Sequence, residues 1–304
     1  MSNCSISKIY AKTRNFIMKI NKILADKTPT ISFEVFPPKQ ETGLNEVKTA
    51  AGTIAALNPS FMSVTYGAAG STSKLTVEVA SDIKNLHGVP VMPHLTCVAS
   101  TKEHVANMIR QIRENNIDNV MALRGDLPKD GIVCHDFEHA SDLVREIRSL
   151  DADICIGGAC YPEGHIESAN KSEDIHFLKE KVDAGCDFLT TQMFFDNNIF
   201  YNFLYRVKDV GINVPIVPGI MPITTAKQLS RSVQLSGTSV PERFKAIVDH
   251  FGDDPVAMRQ AGIIYATEQI IDLIANGITH VHVYSMNKPD VASDILYNLK
   301  GIID

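Results

Sequence analysis

The sequence predicts an α/β fold, a (β/α)8 barrel with an N-terminal helix and extra helices before its last strand. Short apolar runs typical of buried strands recur along the 304 residues, and a helical pattern follows each run. The first seven runs begin 26 to 35 residues apart. Strand–helix alternation at this interval builds parallel βαβ units, and eight such units close into a TIM barrel.

The long interval before the last strand predicts the extra helices. Val240–Phe251 and Pro255–Asn276 have helical apolar spacing and fill this interval. A Rossmann sheet would need Gly-x-Gly-x-x-Gly after the first strand, where Pro37 and Pro38 stand instead. The eight predicted strands are Ile31–Phe36, Phe61–Tyr66, Pro90–Leu95, Asn119–Arg124, Ile154–Ala159, Phe188–Phe194, Val214–Ile220 and Thr279–Tyr284.

Residues 1–29 predict a helical extension ahead of one barrel domain over residues 30–304. The apolar residues at helical spacing are Phe16, Ile17, Ile20, Ile23 and Leu24. A transit peptide or a membrane-surface helix shares this basic, amphipathic character. However, the segment holds a single arginine and continues directly into the first strand. We therefore expect a helix that covers one end of the barrel.

Composition excludes several classes of protein. A formal net charge of −6 argues against a sequence-independent nucleic-acid binder, and no apolar run approaches the ~20 residues that span a bilayer. The six cysteines form no Cys-x-x-Cys pair and follow no signal peptide, so we expect reduced thiols in a cytoplasmic protein. We expect no metal site, because His280 and His282 lack further converging ligands, and His135 and His139 lack the His-Glu-x-x-His pattern.

Polar residues stand near the carboxyl end of one predicted strand after another. Active residues of such barrels lie at these ends, and alternate side chains face inward. One inward polar residue is often only part of a satisfied hydrogen-bond layer. Their recurrence from strand to strand indicates a site instead. The residues expected to face inward are Glu34, Ser63, Thr65, His94, Arg124, Gln192, His280, His282 and Tyr284.

Seven motifs, in chain order, resemble the methylenetetrahydrofolate reductase family. They cover roughly residues 30–290, and the length resembles the bacterial type, with the catalytic barrel only. The motifs are Ser32-Phe-Glu-Val-Phe-Pro-Pro38, Ser63-Val-Thr-Tyr-Gly67, Pro93-His-Leu-Thr96, Leu123-Arg-Gly-Asp-Leu-Pro128, Ala159-Cys-Tyr-Pro-Glu163, Lys181-Val-Asp-Ala-Gly185, and Thr191-Gln192 with Phe194-Phe-Asp196.

The resemblance implies a flavoprotein that reduces 5,10-methylenetetrahydrofolate to 5-methyltetrahydrofolate, with FAD favoured over FMN and electrons from NADH or NADPH. Glu34 matches the family's general acid, and Gln192 and Gln228 match folate contacts. The residues that match flavin contacts are Thr65, His94, Arg124, Gly125, Asp126, His139, Ala140, Ala159, Tyr161, His165, Asp174 and Lys181.

Three positions depart from the family pattern. Lys288 stands where relatives often have an arginine for the folate tail, and we expect it to contact that tail. Ser232 replaces an aromatic residue that stacks on bound ligand in some relatives, and His139 replaces a commonly aromatic flavin contact. These departures concern how the substrate and the electron donor bind, and they leave the implied reaction unchanged.

Physical chemistry predicts different roles for two carboxylates. Between Phe33 and Phe36, in an apolar barrel mouth, the charged form of Glu34 is disfavoured and its pKa is raised, as a general acid at neutral pH requires. We expect Asp126 to remain ionised beside Arg124 and to favour a cationic folate intermediate.

Two other functions share the barrel. A pterin-binding methyltransferase has a folate pocket but no flavin, and a non-catalytic barrel subunit would bind a partner without chemistry. The matches to flavin contacts argue against the first, and the presence of Glu34 with Arg124-Gly125-Asp126 argues against the second. We further expect a homo-oligomer, and a protein that delivers electrons is an alternative to direct donation by NADH.

Overall fold

The computed structural model describes residues 19–67, 73–98, 100–126 and 136–303 of the chain. All strand pairs in these ranges are parallel. Each predicted strand is present, so the barrel prediction is confirmed. The strands are β1 Thr30–Val35, β2 Met62–Val64, β3 Val91–Thr96, β4 Asn119–Leu123, β5 Cys155–Cys160, β6 Phe188–Thr191, β7 Ile216–Val217, β8 Gly219–Ile220 and β9 His280–Tyr284.

Helices follow the strands, and two of them confirm the extra helices predicted before the last strand. α9 and α10 occupy that interval together with α8. The helices are α1 Ile20–Ile23, α2 Leu44–Ala55, α3 Ser73–His87, α4 Lys102–Glu114, α5 Ala140–Leu150, α6 Lys171–Asp183, α7 Asn197–Asp209, α8 Ala226–Ser236, α9 Glu242–Phe251, α10 Pro255–Ala275 and α11 Pro289–Ile303. None of the helices in these ranges is long and apolar enough to cross a membrane.

The seventh predicted strand is divided in two at Pro218. β7 pairs with β6, and β8 pairs with β9. A proline has no N–H to donate to a strand ladder, but the Pro218 carbonyl accepts a hydrogen bond of 2.9 Å from the His282 backbone N–H. The strand order runs β7-β6-β5-β4-β3-β2-β1-β9-β8. Because β7 and β8 belong to one short segment, that segment closes the barrel.

The N-terminal helix packs against an apolar cluster of strand residues. Ile20 is completely buried, and its backbone N–H donates to Asn119 Oδ1 over 2.7 Å. Leu24 also belongs to the cluster. These contacts agree with a helix that covers one end of the barrel, whereas Phe16 and Ile17 lie outside the described residues. The other residues of the cluster lie in the strands or, in the case of Phe61, just before β2. They are Phe61, Met92, Met121, Cys155, Phe188 and Val217.

Gly262 allows α10 to lie directly against the chain that leads from β8 to α8. A Cβ at this position would stand 1.6 Å from the Ile223 backbone oxygen. Backbone atoms cannot move aside as a flexible side chain can, so only glycine fits here. This contact matters for the site because the next residues after Ile223 lead to Gln228.

We predict that Gly262→Ala destabilises the protein by about 1–3 kcal/mol because the new methyl group overpacks the contact with Ile223. Gly301→Ala is the matched control, because a Cβ on Gly301 meets nothing within 4 Å. That substitution should be neutral or stabilising by up to about 1 kcal/mol. Urea unfolding of both variants gives the comparison, and a Gly262→Ala protein as stable as the parent would contradict the close approach.

Candidate active site

Glu34 lies inside the barrel with polar side chains from three neighbouring strands. Strand register places Glu34 beside Ser63 of β2, and the Ser63 hydroxyl donates to Glu34 Oε2 over 3.2 Å. The same oxygen lies 3.6 Å from Nε2 of His94 on β3 and 4.0 Å from Nε2 of His282 on β9. Side chains predicted to face inward from four strands therefore meet around one carboxyl group.

Burial shifts the pKa values of Glu34, His94 and His282. It raises the pKa of Glu34 to about 7, against a smaller lowering by the Ser63 hydrogen bond. Burial also lowers the pKa of His94 to about 4 and that of His282 to about 3. Both imidazoles are therefore neutral at pH 7, and their short distances to Glu34 are not ion pairs. A carboxyl group with its pKa near neutrality can hold a proton and release it.

The surroundings of Glu34 differ from the apolar mouth that the sequence predicts. Phe33 belongs to the outward-facing apolar cluster under the helices, and Phe36 is exposed. The raised pKa of Glu34 is as predicted, but its cause is burial among neutral polar groups rather than contact with two phenylalanines. Alternation along β1 explains the position of Phe33, because neighbouring residues face opposite sides of a strand, whereas Phe36 lies beyond the end of β1.

A cleft opens beside the barrel, between the ends of β4 and β5 and helices α5 and α6. It brings together most of the residues that match flavin contacts, while Thr65, His94, Gly125 and Asp126 are not among its lining residues. The predicted residues that line it are Arg124, His139, Ala140, Ala159, Tyr161, His165, Asp174 and Lys181.

Arg124 does not face the barrel interior, so that prediction is wrong. Met121 of β4 packs in the cluster at the covered end of the barrel, whereas Arg124, which follows the end of β4, lines the cleft with residues of α5 and α6. Its guanidinium forms a two-bond ion pair with Glu167, from the loop after β5. The sequence predicts that Asp126 lies beside Arg124, but Glu167 is the carboxylate that pairs with Arg124 among the described residues, and Asp126 is exposed.

Gly125 and His94, which do not line the cleft, have different surroundings. Gly125 has a φ of +86°, and a Cβ there would stand 2.9 Å from Cβ of Thr96, so the loop requires glycine. The buried His94 Nε2 has no hydrogen-bond partner in the described part of the chain. A buried polar atom is normally satisfied, so this nitrogen is available to hydrogen-bond to a ligand.

The floor of the cleft is held by contacts within the protein. Lys181 Nζ donates to the Ala159 carbonyl over 2.6 Å, and Asp174 accepts from the His165 backbone N–H over 3.2 Å. Burial raises the pKa of Asp174 and lowers that of His165. The Tyr161 ring meets the edge of His165, with ring centres 4.7 Å apart.

The residues that match folate contacts lie in two places. Gln228 and Lys288 meet through Thr224, whose hydroxyl accepts from Lys288 Nζ over 2.9 Å. The Thr224 backbone N–H donates to Gln228 Oε1, also over 2.9 Å. Gln192, at the end of β6, accepts at Oε1 from the Met193 backbone N–H. Two of the three predicted contacts, Gln228 and Lys288, are therefore linked through Thr224.

Ser232 is buried on α8, one turn beyond Gln228. Its hydroxyl lies 3.3 Å from Sδ of Met221. The Ser232 side chain therefore packs against Met221, which follows β8.

The two histidines of β9 contact hydroxyl and carbonyl groups. Nδ1 of His280 lies 2.8 Å from the Thr30 hydroxyl, and its Nε2 lies 2.8 Å from the Asp26 carbonyl. His282 lies between Ser32 and Ser63. Within the described ranges no group of His, Cys, Asp and Glu side chains is arranged to hold a metal ion. His135 lies outside those ranges.

Sequence reasoning missed three residues of the site. Glu167 lies in a loop without periodicity, and nothing in its neighbours indicates a pairing with Arg124. Thr224 follows a short strand, and its contact with Lys288 is not apparent from the sequence because the two residues are 64 positions apart. Phe177 of α6 is half-exposed, and its ring centre lies 5.8 Å from that of His139, a contact that the sequence does not indicate.

Comparison with known proteins agrees with the motifs. A family model described as methylenetetrahydrofolate reductase matches residues 19–300. "Methylenetetrahydrofolate reductase (NADH) 1" of Arabidopsis thaliana is 39% identical over 302 residues, which cover 94% of this chain and 50% of that protein. "5,10-methylenetetrahydrofolate reductase" of Escherichia coli (strain K12) is 32% identical over 269 residues, covering 88% of this chain and 90% of that protein. The chain spans about half the length of the plant relatives that it matches.

Solved structures agree with the barrel. An uncharacterized protein from Clostridium thermocellum, described as binding two copies of 5-methyl-5,6,7,8-tetrahydrofolic acid, superposes with a TM-score of 0.62 at 15% identity, covering 92% of this chain and 97% of that one. An oxaloacetate acetylhydrolase superposes with a TM-score of 0.54 at 12% identity, covering 94% and 88%. These distant similarities concern the fold alone. Together with the family model and the relatives of similar length, the sequence motifs establish that the chain belongs to the methylenetetrahydrofolate reductase family.

Proposed function

We propose that this protein reduces 5,10-methylenetetrahydrofolate to 5-methyltetrahydrofolate with a bound flavin, FAD rather than FMN. The observation that carries the proposal is the buried carboxyl of Glu34, whose pKa is raised to about 7. Family membership supports the same reaction, as do the names of the relatives. The homo-oligomer and the cytoplasmic location stay predictions.

The residues beside the barrel suit a flavin cofactor. Arg124 offers a planar, permanently charged group to a phosphate, and such a group could exchange Glu167 for a ligand anion. His94 Nε2, buried and unpaired, could hydrogen-bond to a polar ring edge. The flavin, when bound, supplies the hydride chemistry, while the protein supplies position and electrostatics.

Glu34 supplies the proton in this proposal. The methylene bridge of the substrate opens when N10 is protonated and leaves, which produces an iminium cation at N5. A side chain that is partly protonated at neutral pH suits this role. The Glu34 side chain remains 20% exposed, so a substrate can reach it. We propose that the Asp126 carboxylate favours the cationic intermediate, as an opposite charge nearby would.

NADH is the electron donor that we propose. The curated plant relatives have NADH in their names. At Ser232, a small hydroxyl replaces a stacking ring, so we expect weaker binding of the nicotinamide than in relatives with an aromatic residue there. An electron-delivering protein is the alternative.

Glu34→Gln should leave flavin binding and its reduction by NADH intact, while folate reduction falls at least about 100-fold. Glutamine keeps the shape of the side chain but cannot supply the proton. Anaerobic stopped-flow absorbance measures the two half-reactions separately, and Glu46→Gln, on the exposed side of α2, is the matched control. Near-normal folate turnover in Glu34→Gln would reject Glu34 as the acid, and a colourless wild-type protein would reject the flavin.

Lys288→Ala should raise the folate KM about tenfold, because a charge-assisted hydrogen bond to the anionic tail is lost. Lys288→Arg should preserve or tighten binding, since guanidinium also pairs with carboxylates. Steady-state kinetics with Lys300→Ala, an exposed lysine on α11, gives the control. An unchanged KM in Lys288→Ala would place the folate tail elsewhere.

Ser232→Phe should lower the KM for NADH about fivefold, the effect of roughly 1 kcal/mol of aromatic stacking. Ser230→Phe, on the exposed face of α8, controls for an added ring. Anaerobic mixing with NADH and the absorbance of the flavin give the rates. If millimolar NADH fails to reduce the wild-type flavin and a co-purifying protein restores reduction, NADH is not the donor.

A further inference from the structure

His282 has no role in the proposed reaction, yet it lies in a chain of hydrogen bonds that ends on Glu34. Its Nδ1 is 2.7 Å from the Ser32 hydroxyl, and its Nε2 is 2.9 Å from the Ser63 hydroxyl. Ser63 donates to Glu34 Oε2 over 3.2 Å. Ser32, Ser63 and His282 are all fully buried, so solvent cannot replace these contacts.

The number of hydrogens that each group can donate indicates the direction of each hydrogen bond. Burial lowers the pKa of His282 to about 3, so the neutral ring has a single N–H. Ser63 donates its one hydrogen to Glu34 Oε2, so its oxygen accepts from Nε2–H at the 2.9 Å contact, which leaves Nδ1 as the acceptor at the 2.7 Å contact with Ser32. Ser32 could otherwise donate to the Val281 carbonyl, but that contact is longer, at 3.2 Å. Ser32 therefore donates to Nδ1, and the ring hydrogen lies on Nε2.

This direction determines what Ser63 can do. A hydroxyl that accepts from His282 Nε2–H keeps its own hydrogen free to point at Glu34. With the other tautomer, bare Nε2 would compete for the Ser63 hydrogen, and Glu34 would lose a donor. A hydrogen bond donated to a carboxylate favours the ionised form.

We propose that His282 is a positioning residue that holds the Ser63 hydroxyl as a donor to Glu34 and thereby sets the pH at which Glu34 exchanges its proton. Ser32 selects the tautomer of His282, and the hydrogen bond from His282 to Ser63 keeps the Ser63 hydrogen directed at Glu34. Glu34 can then lose its proton to a substrate and regain it near neutral pH, although burial alone would keep it protonated to a higher pH.

Other groups face Glu34 and do not substitute for this chain. His94 approaches from β3, but its Nε2 is 3.6 Å away. Tyr284 of β9 donates its hydroxyl hydrogen to the Thr191 carbonyl over 2.5 Å, so that hydrogen is not available to Glu34. Among the described residues, Ser63 is the side chain that donates a hydrogen bond to the Glu34 carboxyl.

The test measures the protonation of Glu34 directly in the full-length protein. Infrared difference spectroscopy follows the carbonyl stretch of the protonated carboxyl against pH, and Glu34→Gln identifies the band. His282→Leu should move the midpoint upward by about one pH unit, a tenfold rise in proton affinity, because the ionised form loses support. His282→Gln, which retains an amide donor toward Ser63, should restore most of the shift.

Two further variants keep the proposal testable if His282→Leu fails to fold. Ser32→Ala leaves the ring in place but removes the donor to Nδ1, and it should move the midpoint in the same direction by a smaller amount. In a Ser63→Ala background, Ser32→Ala should have no further effect, because the chain is already broken. A structural role of His282, which stacks on Phe61 with ring centres 5.4 Å apart, would change stability without moving the midpoint.

An unchanged midpoint in His282→Leu and Ser32→Ala would overturn the proposal. So would a nitrogen-15 spectrum that places the His282 hydrogen on Nδ1 while Glu34 is ionised. The inference rests on the proposed function only for its kinetic consequence. In His282→Leu and Ser32→Ala, the pH above which folate reduction declines should move upward. The infrared titration does not require flavin or folate, so failure of the proposed reaction would leave its result interpretable.

Discussion

The alternation of side chains along parallel strands is the constraint on which both parts of the site depend. Within β1, Phe33 and Val35 enter the apolar layer under the helices, while Ser32 and Glu34 enter the barrel. A strand shifted by one residue would bury phenylalanine among polar groups and expose Glu34 to the helix layer. Register between neighbouring strands then decides which polar side chains meet. The same register therefore places Glu34 among polar groups inside the barrel and the apolar residues of β1 under the helices.

Desolvation without a compensating cation gives Glu34 its character. Its nearest titratable neighbours are two histidines that burial itself keeps neutral. A lysine or arginine at either position would lower the pKa of Glu34 and remove its proton at neutral pH. The Ser63 hydroxyl instead donates a hydrogen bond to the carboxyl group, and the neutral imidazoles add no charge beside it. This combination moderates the effect of burial and leaves the pKa of Glu34 near 7.

The cleft beside the barrel follows a different electrostatic principle. Arg124 keeps its full charge and is paired with Glu167, which is half exposed and comes from a loop. A surface pair of this kind contributes little stability, so a ligand with a stronger anionic group could displace the glutamate at modest cost. The interior therefore holds a carboxyl group that is partly protonated near pH 7, and the periphery holds a permanent cation. In the proposed function these two environments serve proton transfer and cofactor binding respectively.

The sequence by itself determined the eight-strand barrel, the extra helices before β9, the family, and Glu34 with its raised pKa, because periodicity, strand spacing and motifs are local properties of the chain. Tertiary structure alone decided that Pro218 divides a strand, that Arg124 leaves the interior and that Glu167 pairs with it. It also decided that Ser32, His282 and Ser63 form a chain to Glu34. Those contacts join residues 29 to 250 positions apart, and only strand register and the closure of the barrel bring such residues together.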